Sequence, residues 1–161
     1  MLTKHLVRGG VIAALYVILT VPLASLAFGP IQIRPAEALT VLPILFPEAI
    51  PGVFIGCLLA NTISMFGWID IVFGSSITLL AAIVTRLTRK TVFAFLSPVI
   101  FNAVLISTYV AWFITDEWFS TTYWVAYGQT AVSIAISQAI VVFGLGVPLI
   151  AWLRKVYLHE Y

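Results

Sequence analysis

The chain predicts an all-α membrane protein of six transmembrane helices, a single integral membrane domain over residues 1–161, and three observations lead there. Of its 161 residues 62% are hydrophobic and 9% charged. Its apolar runs are longer than the core of a water-soluble domain of this size can use. Its basic residues also gather on one side of those runs, as they do in a multi-pass protein. A β-barrel would instead alternate polar and apolar residues in strands of about ten residues.

A bilayer core takes about 20 apolar residues per helix. Spans are therefore expected at Gly9–Phe28, Ala36–Phe46, Ile50–Phe66, Ile71–Leu87, Val92–Thr115 and Tyr127–Leu153. The second is too short to cross alone in contact with lipid, so its neighbours must enclose it. Lys4 and Arg8 ahead of an apolar run, with Ser25, Leu26 and Ala27 after it, have the outline of a secretory signal. The run exceeds a signal core of about 7 to 15 residues, and it reads as a retained helix. Cys57 stands alone in the third span, which leaves no intrachain disulfide and no cysteine cluster for a metal.

Six spans put both termini on one side, together with Lys4, Arg8, Arg86, Arg89, Lys90, Arg154 and Lys155. The positive-inside rule makes that side the cytoplasm. The opposite ends carry Asp70, Asp116 and Glu117, with Arg34 as their basic residue. Arg34 is either snorkelling to the interface or held by a pair or ligand contact, and Glu37, one helical turn away, favours the second.

With orientation set, a rise of about 1.5 Å per residue gives each polar side chain a depth. Glu37 falls near the outer end of the second helix and Asn61 in the outer half of the third. Asn102 falls near the middle of the fifth, and Gln129, Ser133 and Ser137 share one face of the sixth. Single Asn, Ser or Gln residues commonly bridge membrane helices. Their convergence on the outer half points to a polar pocket. Tyr109, Trp112, Trp118, Tyr123, Trp124 and Tyr127 cluster beside it, either as an interfacial aromatic belt or as stacking faces for a flat ligand. Asp116 and Glu117 are solvated there or attract a cationic group to the mouth.

In the first helix, Gly9 with Ala13 and Gly10 with Ala14 form overlapping pairs of small residues at i and i+4. Such pairs let another helix approach closely, inside the bundle or as a docking surface for a membrane partner. The chain has no phosphate-binding loop of the Gly-x-x-x-x-Gly-Lys-Ser/Thr type, no His or Cys cluster with metal-ligand spacing, and no nucleophile with a His partner in its spans. Neither ATP hydrolysis nor another enzymatic activity, and no cofactor, is indicated. Nothing in it suggests nucleic acid as a partner.

Three segments then carry a resemblance. Ile31-Gln-Ile-Arg-Pro-Ala-Glu-Ala-Leu-Thr-Val-Leu-Pro43, Ala49-Ile-Pro-Gly-Val-Phe-Ile-Gly-Cys-Leu-Leu-Ala-Asn61 and Asp70-Ile-Val-Phe-Gly-Ser75 are similar to the queuosine-precursor (QueT-type) S components of energy-coupling factor transporters. The resemblance implies a six-helix subunit of the bacterial plasma membrane that captures a deazapurine outside the cell, such as 7-aminomethyl-7-deazaguanine. It also implies uptake driven by a separate module of a transmembrane coupling protein and two ATPases. The family's docking motif in the first helix is Ala-x-x-x-Ala, for which Gly10 with Ala14 or Gly9 with Ala13 must serve.

On the ligand side, a 7-aminomethyl-7-deazaguanine presents a guanine edge with two adjacent donors that a carboxylate can accept together and a cationic side arm; Glu37 meets one of these groups, and which acid meets which end is left open. The substrate-binding candidates are Arg34, Glu37, Asn61, Asn102, Tyr109, Trp112, Glu117 and Gln129, with Glu37 central and Arg34 orienting it. The alternatives are an S component for another flat vitamin or amino acid, and a small membrane enzyme or assembly factor.

Overall fold

Helix formation in an apolar chain is dictated by the backbone, whose N–H and C=O groups must pair internally wherever water is absent. A computed structural model describes residues 2–27 and 32–158, and among these every regular element is helical. Four helices are long and apolar enough to cross a membrane: α1 (Leu2–Leu23), α4 (Asp70–Leu87), α5 (Phe93–Thr115) and α6 (Thr121–Val156). Two shorter apolar helices, α2 (Pro35–Ile44) and α3 (Ala49–Ile63), lie between α1 and α4.

Most boundaries fall within one to three residues of those read from the sequence; the two terminal helices do not. α1 starts at Leu2, seven residues before the expected Gly9. Its polar first turns are held by pairing: His5 Nδ1 lies 3.1 Å from Glu48 Oε2, Arg8 bonds Glu48 Oε1, and the Arg8 guanidinium sits 4.3 Å above the Phe46 ring. The expected end of this span, Phe28, lies outside the described residues, as do the start of the Ile31 motif and His159. α6 starts at Thr121 because Ser120 caps it, its Oγ accepting the Tyr123 N–H at 3.1 Å. Tyr123 and Trp124 thus belong to a helix and not to a loop.

α2 is wound as a 3₁₀-helix over Pro35–Ile44, unusual for ten residues. The tighter coil rises about 2.0 Å per residue, so a segment too short for a lipid-facing span reaches further than an α-helix of the same length. Residues Ala36 to Ile44 are all buried, as the need for enclosure required. Around Leu39, Val41, Leu42 and Ile44 pack Ile12 and Tyr16 of α1, Val53 and Cys57 of α3, Ala82 of α4, Ala94 of α5, and Val142 and Ile150 of α6. The last carbonyls of α2 are met by Arg86 Nη1, which donates to Pro43 O (3.1 Å) and Ile44 O (3.2 Å).

The α1–α3 contact is made backbone to backbone. A Cβ on Gly56 would stand 2.6 Å from Tyr16 Cβ and 2.9 Å from Ala13 O, and one on Gly52 would stand 2.8 Å from Gly9 O. Gly9 and Ala13 therefore form the inner edge of α1. Gly10 and Ala14 are exposed, and a Cβ on Gly10 would meet nothing within 4 Å.

π-helical turns occur at Asp70–Gly74, Asn102–Ile106 and Val142–Gly146. Such turns often accompany functional sites. Gly74 is required in the first of them, since a Cβ there would stand 2.3 Å from Asp70 Oδ1. In α5, Pro98 has no N–H for the carbonyl of Ala94, which accepts instead from Thr85 Oγ1 of α4 at 3.2 Å.

Candidate binding site

Two buried hydrogen-bond networks occupy the bundle, each centred on a carboxylate. The first surrounds Glu37, which the first turn of α2 carries into the core with 1% of its surface exposed. Tyr16 OH of α1 donates to Oε1 at 2.5 Å, while Asn102 Nδ2 of α5 and Gln138 Nε2 of α6 donate to Oε2, each at 3.2 Å. All three donors are neutral.

The second network surrounds Asp70, fully buried at the head of α4. Its Oδ2 accepts from Arg34 Nη2 at 3.0 Å and Ser64 Oγ at 2.6 Å, and its Oδ1 from Tyr109 OH at 2.6 Å. Asn61 completes the arrangement. Its Nδ2 donates to Asp70 O (2.8 Å) and Ser75 Oγ (3.3 Å), and its Oδ1 accepts from Arg34 Nη1 at 3.4 Å. Arg34 Nε also donates to Ala27 O at 2.9 Å, tying the helical turn Ala24–Ala27 that follows α1 to the start of α2.

These geometries correct one expectation. The ion pair of Arg34 is with Asp70 and not with Glu37. Arg34 precedes α2 with φ −114° and ψ 95°, an extended backbone in which the i, i+3 neighbour relation of a helix does not apply. Asp70 is accordingly an internal partner and not an outer-surface charge.

Two cavities lie beside the networks. One, of about 450 Å³, is bordered by Gln32, Phe66 and Val110 and by Gln129, Ser133 and Ile134 of α6. Gln32 links its wall to α6 near the Glu37 network: Ser137 Oγ donates to Gln32 O at 3.4 Å, and Gln138, the next residue, holds Glu37. The other, of about 490 Å³, is aromatic, with Trp68, Phe73, Tyr109, Trp112 and Trp118 in its wall.

The sequence candidates thus divide. Glu37 and Asn102 are bonded to each other; Arg34, Asn61 and Tyr109 belong to the Asp70 network; Gln129 is exposed at the rim of the first cavity. Trp112 stacks on Trp118 at 5.6 Å beside the second cavity. Glu117 is exposed, accepting from Thr122 Oγ1 at 3.1 Å. Glu37, Asn61 and Asn102 line neither cavity and so do not border one open chamber with Gln129, contrary to the expectation of a shared pocket.

Sequence reasoning missed Tyr16, Gln32, Glu48 and Gln138. A signal existed for Tyr16, since a phenol inside an apolar helix needs a hydrogen-bond partner. Gln138 directly follows Ser137, at the inner end of the polar face that Gln129 and Ser133 begin. Among the described residues no group of three or more His, Cys, Asp or Glu side chains is arranged to hold a metal.

A family model described as QueT transporter matches residues 6–155. The chain belongs to the QueT transporter family. It is similar to the protein named Queuosine precursor transporter QueT of Lactococcus lactis subsp. cremoris (strain MG1363), with 39% identity over 79 residues, 48% of this chain. The match spans 46% of that relative's length. No solved structure matches. The chain's exposed apolar surface, for example Leu6, Ile18, Phe73 and Ile140, is what lipid contact requires.

Proposed function

We propose that this chain is the substrate-binding S component of an energy-coupling factor importer, taking a 7-deazaguanine queuosine precursor from outside the cell. The observation that carries the reading is the QueT family match over residues 6–155, and the Lactococcus relative is by name a queuosine precursor transporter. The site supports it chemically. A buried carboxylate with amide groups beside it, next to a cavity bordered by Gln32, Gln129 and Ser133, offers a nucleobase-like ring both acceptors and donors.

In this reading all six helices cross the bilayer and both termini are cytoplasmic. Lys4, Arg8, Arg86, Arg89, Lys90, Arg154 and Lys155 then face the cytoplasm, in keeping with the positive-inside rule. Capture falls to the chain itself. The precursor enters from the outer side, desolvates against the cavity wall and exchanges hydrogen bonds with the Glu37 group. Translocation is driven by a transmembrane coupling protein and two ATPases, and the exposed Gly10 and Ala14 present a small-residue face suited to close helix contact.

The test is to purify the full chain in detergent, identify by mass spectrometry any ligand it retains, and titrate it with 7-deazaguanines. Retention or saturable binding of a 7-deazaguanine is expected. A vitamin or amino acid in its place, with no deazaguanine binding, overturns the reading.

A further inference from the structure

The balance of charge across the two networks bears on which deazaguanine the site selects, an inference that rests on the function just proposed. The core of the bundle's polar half holds three charged side chains: Arg34, Asp70 and Glu37. Arg34 and Asp70 form an ion pair at 3.0 Å. Among the described residues Glu37 has no cationic partner. Its carboxylate is held by a phenol and two amides, three neutral donors that bring no positive charge and leave one of its about four lone-pair sites open. Buried charges are ordinarily paired, because isolated ones are costly to desolvate.

A second observation points the same way. Asn102 is buried, and while its Nδ2 bonds Glu37 Oε2, its Oδ1 has no hydrogen-bond partner among the described residues. Glu37 and Asn102, in direct hydrogen-bond contact, thus offer an anionic acceptor and an unpartnered neutral one. An ammonium group, with three donors and a positive charge, matches both.

Access is compatible with this assignment. Ser133 and Ile134 border the 450 Å³ cavity, and Gln138, which contacts Glu37, lies four to five residues deeper on α6, about 6 to 8 Å along the helix at 1.5 Å per residue. A ring in the cavity with a short arm pointing inward would meet Gln138 first. Rotation of its amide would expose Glu37.

We propose that Glu37 and Asn102 Oδ1 receive the cationic arm of the substrate, so that this transporter selects ammonium-bearing 7-deazaguanines over neutral ones. The guanine edge then faces the cavity groups Gln32, Gln129 and Ser133. Isothermal titration of the full chain in detergent with 7-aminomethyl-, 7-cyano- and 7-methyl-7-deazaguanine tests this.

The amine is expected to bind at least about tenfold more tightly than either neutral analogue, a preference equivalent to about 1.4 kcal/mol. Glu37→Gln is expected to remove most of that preference, the amine losing at least about tenfold more affinity than either neutral analogue. Equal wild-type affinity for amine and nitrile refutes the inference and leaves the proposed function standing. Equal loss of all three ligands in Glu37→Gln also refutes it, by placing the guanine edge on Glu37. Binding of none of the three refutes both.

Discussion

Asp70→Asn removes the charge that balances Arg34 while nearly preserving size, and its cost follows from the hydrogen bonds it breaks. Asp70 is fully buried and accepts from Arg34, Ser64 and Tyr109 at 3.0, 2.6 and 2.6 Å. An asparagine keeps a single acceptor oxygen and turns an NH₂ group toward one set of donors. Breaking a buried pair by removing one partner costs about 3 to 5 kcal/mol, because the other charge stays behind. At about 2 to 4 °C per kcal/mol for a chain of this size, the melting temperature in detergent should fall by about 6 to 20 °C. The paired replacement Arg34→Gln with Asp70→Asn exchanges two charges for two amides, so it should lose less than the sum of the single changes, with a coupling of at least about 1 kcal/mol. Thermal melts of the four proteins, read by intrinsic tryptophan fluorescence, supply the cycle. Strict additivity, or an Asp70→Asn protein melting within about 2 °C of the wild type, would refute the reasoning that this ion pair holds α2, α4 and α5 together.

Two further outcomes follow from the inner half of the molecule. Ala14→Trp, on the exposed edge of α1, should leave ligand binding intact and abolish uptake when co-expressed with a coupling module, whereas Ala13→Trp should damage the fold itself, since Ala13 abuts Gly56; binding and uptake assays on both variants separate the roles, and unimpaired uptake with Ala14→Trp removes the docking face. Burial tends to raise the Glu48 carboxyl, but hydrogen bonds to its own backbone, His5 and Arg8 outweigh it and hold the carboxyl below its ordinary value. The stability it contributes is therefore complete above about pH 4.3, the value of an unfolded glutamate, and is lost as pH falls toward and through the folded value. Melts between about pH 6 and pH 3.5 should show a fall that Glu48→Gln reduces, with Arg8, His5 and Arg86 the charged groups facing the site.

The helices were legible in the sequence because bilayer length and continuous apolarity are strong, local constraints. Four spans could be placed to within three residues for that reason. What the sequence hid were features decided by tertiary contact. The start of α1 depends on Glu48, 40 residues beyond Arg8, and charged residues that pair across the fold look like flanking charge when read along the chain. The 3₁₀ winding of α2 is equally silent, since composition does not distinguish about 1.5 from about 2.0 Å of rise per residue. Only its enclosure could be argued, from its shortness.

The two buried networks show why proximity in sequence is a poor guide to partnership at a helix boundary. Arg34 and Glu37 are three apart, yet the extended backbone at Arg34 sends its guanidinium to Asp70, 36 residues on, while α2 turns Glu37 toward Gln138, 101 residues on. The same sorting separates the small residues of α1. Positions one apart on a helix of about 3.6 residues per turn point about 100° apart, so Gly9 and Ala13 can pack on Gly52 and Gly56 while Gly10 and Ala14 face outward. Tyr16, three residues past Ala13, continues the inner edge and reaches Glu37. A single helix thus supplies a hydrogen bond to the central carboxylate from one edge and leaves small residues exposed on another, and the interleaved pairs encode both edges without revealing, along the chain, which pair faces which way.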